Sequence, residues 1–170
     1  MLFTFLFMIG AVALDQLSKY LVLTYLVPLG SYPLWEGVLH FTYVENTGAA
    51  FGSFKEHRWV FMFVSTVAII ALIIYYFWGR PHDRLTTVAL AFITGGGIGN
   101  MIDRVLLGYV VDFIDFTLID FAVFNIADSF VCVGVGLMFF ALFRTAREET
   151  RAAQQAEAAE SAQEEEPHDD

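Results

Sequence analysis

Four apolar runs, each long enough to cross a lipid bilayer, constrain this chain more than anything else in it. They cover residues 2–27, 59–78, 85–101 and 123–143. Lipid offers the backbone no hydrogen-bond partners, so a spanning segment must satisfy itself, and about 20 apolar residues in an α-helix do so. The first run is interrupted only at Asp15, Gln16 and Lys19. A cleavable leader is the rival reading of that run, because Ala11-Val12-Ala13 has the small-residue form of a cleavage site. Against it, no Lys or Arg precedes the stretch, and the apolar pattern resumes at Leu21-Val22-Leu23. Composition points the same way: 57% hydrophobic residues, 16% charged residues and a mean hydropathy of +0.59 exclude an ordinary soluble enzyme.

The expected fold is therefore an all-α polytopic membrane protein with four transmembrane helices, organised as a transmembrane domain over residues 1–147 and a tail over 148–170. The net charge of -10 belongs mostly to the tail, where nine acidic residues face one base, Arg151. With no large apolar residue after Phe143, the tail is read as a helix leaving the membrane and fraying into disorder. Orientation follows from basic residues near the span ends. Arg80, Arg84, Arg144, Arg147 and Arg151 fall on one side, and Lys55, Arg58 and Arg104 on the other. The richer side is assigned to the cytoplasm, together with both termini.

The two long connections, 28–58 and 104–122, then lie outside. Residues 34–44 of the first are rich in strand formers punctuated by glycine, and a small β element is expected there on the outer leaflet. Trp35, Trp59, Tyr25 and Tyr32 near the span ends fit an aromatic belt. The single cysteine, Cys132, allows no intrachain disulfide, and within an apolar run it reads as a small packing residue. His40, His57, His82 and His168 are scattered, without the spacing of a zinc site, and no nucleic-acid patch is visible. No metal, no cofactor and no nucleic-acid partner is expected.

Polar residues at membrane depth are costly, at about 2.5–3.5 kcal/mol for a charge at the bilayer centre, and so they are functional candidates. Asp15 and Lys19, at i,i+4 on one helix face, can neutralise each other and are read as structural polar residues along with Asp103. Past them, Gly95-Gly96-Gly97-Ile98-Gly99 permits close approach of helices, and Asn100, Asp103 and Arg104 follow at the interface. Asp112 sits between Val111 and Phe113, and Asp128 closes Phe124-Asn125-Ile126-Ala127-Asp128. Two carboxylates in apolar settings at one membrane level suit an aspartic protease, in which repulsion and desolvation keep one of them protonated. Spacing alone leaves Asp103, Asp115 and Asp120 as rivals.

Five blocks then resemble the lipoprotein signal peptidases (signal peptidase II) over residues 10–143. They are Asp15-Gln16-Leu17-Ser18-Lys19, Glu45-Asn46-Thr47-Gly48-Ala49-Ala50-Phe51-Gly52, Gly99-Asn100-Met101-Ile102-Asp103-Arg104, Val111-Asp112-Phe113 and Phe124-Asn125-Ile126-Ala127-Asp128-Ser129. The resemblance implies that Asp112 and Asp128 are the catalytic dyad. It also implies that Asn46, Gly48, Asn100, Arg104, Asn125 and Ala127 line the substrate site. The implied reaction is cleavage of a diacylglyceryl-modified prolipoprotein just before its lipidated cysteine, at the periplasmic side of a bacterial inner membrane. Membrane lipid is a further expected partner, and the enzyme is expected to be a monomer. Two other classes compete. A proton or ion relay would spread its carboxylates through several spans rather than gather them at one face. A non-enzymatic assembly factor would account for the small-residue faces but not for the paired aspartates.

Overall fold

A computed structural model describes residues 2–48, 58–79 and 83–164. Helix α1 (Leu2–Leu21) ends in a π-helical turn, Val22–Leu26. Strands β1 (Ser31–Trp35) and β2 (Leu39–Asn46) follow, then α2 (Arg58–Gly79) and α3 (Arg84–Leu106). Strand β3 (Val110–Asp115), a short 3-10 turn (Thr117–Ile119) and α4 (Ile126–Glu164) complete the order. Four of these helices are long and apolar enough to cross a membrane: Leu2–Leu26, Met62–Gly79, Arg84–Leu106 and Ile126–Ala156.

The helical surface is inverted relative to that of a water-soluble bundle. None of the most apolar stretch of α2 is buried, and Phe63 and Trp78 are 71% and 81% exposed. Only a hydrocarbon solvent accommodates such a face. Inside, the packing relies on small residues. A side chain at Gly95 would meet Ala11 Cβ at 3.0 Å, and one at Gly99 would meet Asp15 Oδ2 at 2.5 Å, so α3 lies close against α1.

The expected sheet is present, with a strand the sequence did not announce. β1 and β2 form the hairpin of the first connection, and β3, from the second, pairs antiparallel with β2 to give the order β1-β2-β3. Val22 and Leu26 of the π turn pack with Val111 and Phe113 of β3, which seats the sheet on one end of the bundle. The junctions on either side of β3 are fixed locally. Gly108, at φ +87°, takes the left-handed position after α3, and its N–H and that of Leu107 both bond to the Asp103 carbonyl. Beyond β3 the chain doubles back, so that Phe124 exchanges backbone hydrogen bonds with Ile114.

Two helix ends differ from the apolar runs. α3 continues past residue 101 to Leu106 because its polar residues Asn100 and Asp103 turn inward and find partners there. α4 begins at Ile126 rather than near 123 because residue 124 is held against β3 and Asn125 caps the helix. At the opposite end of the bundle Asp83 caps α3 through the Thr86 N–H at 2.9 Å and pairs with Arg144 of α4 at 2.6 Å. The Thr86 N–H and the Arg144 guanidinium hold the Asp83 carboxyl below its ordinary range. α4 then runs on through the acidic segment to Glu164, its side chains exposed from Leu142 to Ala156.

Candidate active site

The sheet register brings Asp112 to the bundle. Asp112 stands opposite Val44 in the β2–β3 ladder, and Asn46, two residues on, shares Val44's face. This diagonal lets Asn46 Nδ2 donate to Asp112 Oδ2 at 2.9 Å. Asn46 Oδ1 meanwhile accepts the Gly48 N–H at 3.0 Å, which pins the amide's orientation. The other half of the second motif, Ala49, Ala50, Phe51 and Gly52, lies outside the described residues.

Asp128 arrives by helix capping. The Asn125 side chain accepts the Asp128 N–H at 2.9 Å, and the Asp128 carboxylate accepts the Asn125 N–H at 3.3 Å. This reciprocal arrangement is a capping box with Asn and Asp in the two roles. It also places a carboxylate in the first turn of α4, where the helix dipole favours negative charge.

Two asparagines join the carboxylates. Asn125 Nδ2 donates to Asp112 Oδ1 at 2.7 Å and to Asn100 Oδ1 at 3.0 Å, and Asn100 Nδ2 donates to Asp128 Oδ1 at 2.7 Å. Asp112 is 1% exposed and Asn125 is fully buried, whereas Asp128 is only half-buried. The pair therefore has one sealed member and one open to an approaching molecule. Burial pushes the Asp112 carboxyl up to about 6, and the negative charge of Asp128 adds to the rise. The Asn46 and Asn125 N–H bonds and the Lys19 charge oppose it.

A second polar cluster lies beside this one. Lys19, 2% exposed, extends Nζ to Asp15 Oδ2, Asp103 Oδ2 and Asn100 Oδ1, each at 2.9 Å. Asp15 Oδ1 accepts the Ala127 N–H at 3.0 Å, and Asp103 Oδ2 accepts the Val111 N–H at 3.1 Å, so both carboxylates also brace the segments that carry the pair. Gln16, noted in the sequence only as a polar interruption and a motif residue, donates to Asp103 Oδ1 at 2.9 Å and to the Gly99 carbonyl at 3.2 Å. It also donates to its neighbour Asp15 at 3.2 Å, but the other two partners lie more than eighty residues away, which no local pattern reveals.

The remaining candidates divide by position. Arg104 is half-buried, donates to the Asn100 carbonyl at 3.3 Å and interacts electrostatically with Asp128, Asp112 and Asp103. Ala127 is fully buried, and a side chain at Gly99 would meet its Cβ at 3.4 Å, so it packs α4 against α3. Of the three rivals, Asp103 belongs to the Lys19 cluster, Asp115 accepts from Thr42 Oγ1 at 2.8 Å on the sheet, and Asp120 is exposed with φ 47°.

Fold and site together define a class: a helical membrane protein with paired aspartates held by amides at one end of the bundle. Residues 7–144 match the family described as signal peptidase (SPase) II, and the chain belongs to that family of aspartic-type peptidases. A lipoprotein signal peptidase of Caldanaerobacter subterraneus subsp. tengcongensis is 53% identical over 123 residues, covering 72% of this chain and 83% of the relative. One from Brevibacillus brevis is 43% identical over 133 residues, covering 78% and 89%. Two solved structures, each described as a bacterial membrane enzyme, share the fold. One has a TM-score of 0.77 at 34% identity, covering 84% of this chain and 88% of its own. The other has a TM-score of 0.73 at 36% identity, covering 82% and 91%.

Proposed function

We propose that Asp112 and Asp128 are the catalytic dyad of a membrane endopeptidase that cleaves the signal peptide from diacylglyceryl-modified prolipoproteins just before the lipidated cysteine. The observation that carries the assignment is the amide bridge: among the described aspartates at this end of the bundle, only these two are joined through Asn100 and Asn125 without an intervening cation. The family relationship supplies the substrate class.

In this reading the pair holds one proton. The ionised aspartate takes a proton from a water while the protonated one donates to the scissile carbonyl oxygen, and the water oxygen adds to the carbon. The resulting tetrahedral centre collapses with protonation of the leaving nitrogen. Asp128, half-buried, receives water and substrate from the open side, and Asp112 sits behind it.

Asn46, Gly48, Asn100, Arg104, Asn125 and Ala127 form the wall of the substrate site. Asn46 and Arg104 have exposed surface for peptide or ester oxygens, and the buried Asn125 and Ala127 hold the wall from behind. Asp15, Lys19 and Asp103 serve as its structural support. The site faces the periplasm, with Arg84 and Arg144 at the cytoplasmic end of the bundle, both termini cytoplasmic and residues 1–147 sufficient for catalysis. The enzyme works as a monomer and meets its lipid-anchored substrate by diffusion within the bilayer.

The test is cleavage of a model prolipoprotein by the purified protein in detergent, with and without the diacylglyceryl group. The lipidated form is expected to be cut and the unlipidated form to be a poor substrate, because the lipid positions the scissile bond over the dyad. Equal cleavage of both would remove lipid recognition and leave the aspartyl mechanism standing. Cleavage of neither, with proton flux in liposomes that depends on Asp112, would favour a relay instead.

A further inference from the structure

The buried ammonium of Lys19 does more than neutralise charge. Its three donors are all used, on Asp15, Asp103 and Asn100, each at 2.9 Å. The third of these bonds settles the orientation of an amide. With Oδ1 turned to Lys19 and to Asn125 Nδ2, Asn100 must present Nδ2 to Asp128, to which it donates at 2.7 Å. The same Oδ1 receives the Asn125 amide, whose Nδ2 also serves Asp112 at 2.7 Å. One cation on α1 thus helps set the donor direction of the amide that touches Asp128, while the Asn125 amide is oriented by its own Oδ1, which accepts the Asp128 N–H at 2.9 Å.

We propose that Lys19 is a positioning residue for the peptidase reaction, acting through Asn100 to keep an N–H donor on Asp128. The proposal rests on the assignment of those two aspartates as the dyad. Without the ammonium, Asn100 Oδ1 keeps only the Asn125 Nδ2 donor at 3.0 Å, and a half-turn of the amide would offer Oδ1 to Asp128 and repel the anion. The charged groups around Lys19 are Asp15 on its own helix and Asp103 on α3. Those around the dyad are Lys19 itself, Asp103 and Arg104.

Lys19→Met alone leaves two buried carboxylates without their cation and can fail to fold. The test therefore uses Lys19→Met combined with Asp103→Asn, which keeps the cluster's net charge at minus one. Its thermal transition is expected to stay near that of the wild type, because an amide oxygen at position 103 can still accept the Val111 N–H, and a half-turn of the Gln16 amide lets its oxygen accept from the new Nδ2. Its kcat on lipidated prolipoprotein is expected to fall on the order of tenfold or more while KM changes by less than about twofold, as for a misplaced reacting group. Asp103→Asn alone is the reference for that fall. The acid limb of the kcat profile is expected to move to higher pH.

Coupling supplies the readout that a structural role would not move. The double variant with Asn100→Ala added should lose no more kcat in total than Asn100→Ala loses by itself, since both changes remove the same link. Additive losses, wild-type kcat in the folded double variant, or failure of that charge-balanced variant to fold would each overturn the proposal and leave Lys19 a structural residue. Asp112→Asn and Asp128→Asn run alongside. If either keeps substantial turnover, the dyad assignment fails rather than the role of Lys19.

Discussion

Two pairs of buried or half-buried aspartates share the sheet end of this bundle, and they are wired differently. Asp15 and Asp103 face one ammonium, that of Lys19, and take further N–H donors from Ala127, Val111 and Gln16. Asp112 and Asp128 face amides: Asn46, Asn125 and Asn100. A cation at 2.9 Å from both carboxylates offsets one of their two charges and ties them together. Amides satisfy the lone pairs of a carboxylate without cancelling its charge, and burial pushes the Asp112 carboxyl up to about 6 against those hydrogen bonds. What stands between the aspartates separates the proposed dyad from the other pair as much as the aspartates themselves do.

The comparison breaks most visibly in activity. Asp112→Asn and Asp128→Asn are each expected to lower turnover of the lipidated substrate on the order of 10²–10⁴-fold, the range for loss of a general acid or base. The protein should still insert and fold. Asp115→Asn and Asp120→Asn should retain most activity. A folded Asp128→Asn enzyme with a tenth of wild-type turnover would take that residue out of the dyad.

The pair tied by Lys19 should fail in the opposite sense. Asp15→Ala leaves Lys19 and the Ala127 N–H short of an acceptor in a site with no exposure, and it is expected to cost about 3–5 kcal/mol of stability, as removal of one partner from a buried ion pair does. The measurement is a thermal transition in detergent. Intact stability together with lost turnover would put Asp15 in the chemistry instead.

How much of this is legible in the sequence follows from the range of each interaction. The spans are readable because apolar length is a local property, and the small sheet because residues 34–44 combine strand formers with glycine. The Asp15–Lys19 contact is readable as i,i+4 spacing on one helix. Asp103 and Gln16 are not visible as its partners, and neither is the pairing of β3 with β2, since those contacts join segments dozens of residues apart. For the site, spacing leaves five carboxylates open, and the family resemblance chooses two. The amide bridge that distinguishes them exists only after α3, β3 and α4 have met.

The pH dependence of stability sharpens the comparison further. Asp112 titrates near 3.8 when unperturbed and near 6 in the fold, so between these values the native protein holds a proton that the unfolded chain has released. Its contribution to stability is fully present at acid pH and is lost as pH rises through about 6. The charged form is then the destabilising one, by up to about 3 kcal/mol. Asp112→Asn removes that charge. The difference in transition temperature, variant minus wild type, is expected to be larger at pH 7.5 than at pH 4.5. A difference independent of pH would show that Asp112 is not held near 6.

A third group of carboxylates supplies the contrast with no packing at all. Residues 148–170 carry nine acids, and α4 passes through them to Glu164 with its side chains exposed as far as Ala156. Glu148 lies 3.7 Å from Arg144, a solvent-facing pair of the kind that contributes about 0–1 kcal/mol. Nothing in this stretch has the large apolar residues needed to build a core or to grip the catalytic unit. Truncation after Arg151 keeps that pair and removes seven of the nine acids. Turnover is expected to stay within about twofold, because field lines from exposed tail charges are screened within a Debye length, about 8 Å at physiological salt. The proposed dyad sits at the far end of a span of about 30 Å. A well-folded truncated enzyme with a large loss of activity would show that the tail reaches the catalytic unit, and acidity alone would then no longer separate an idle carboxylate from a working one.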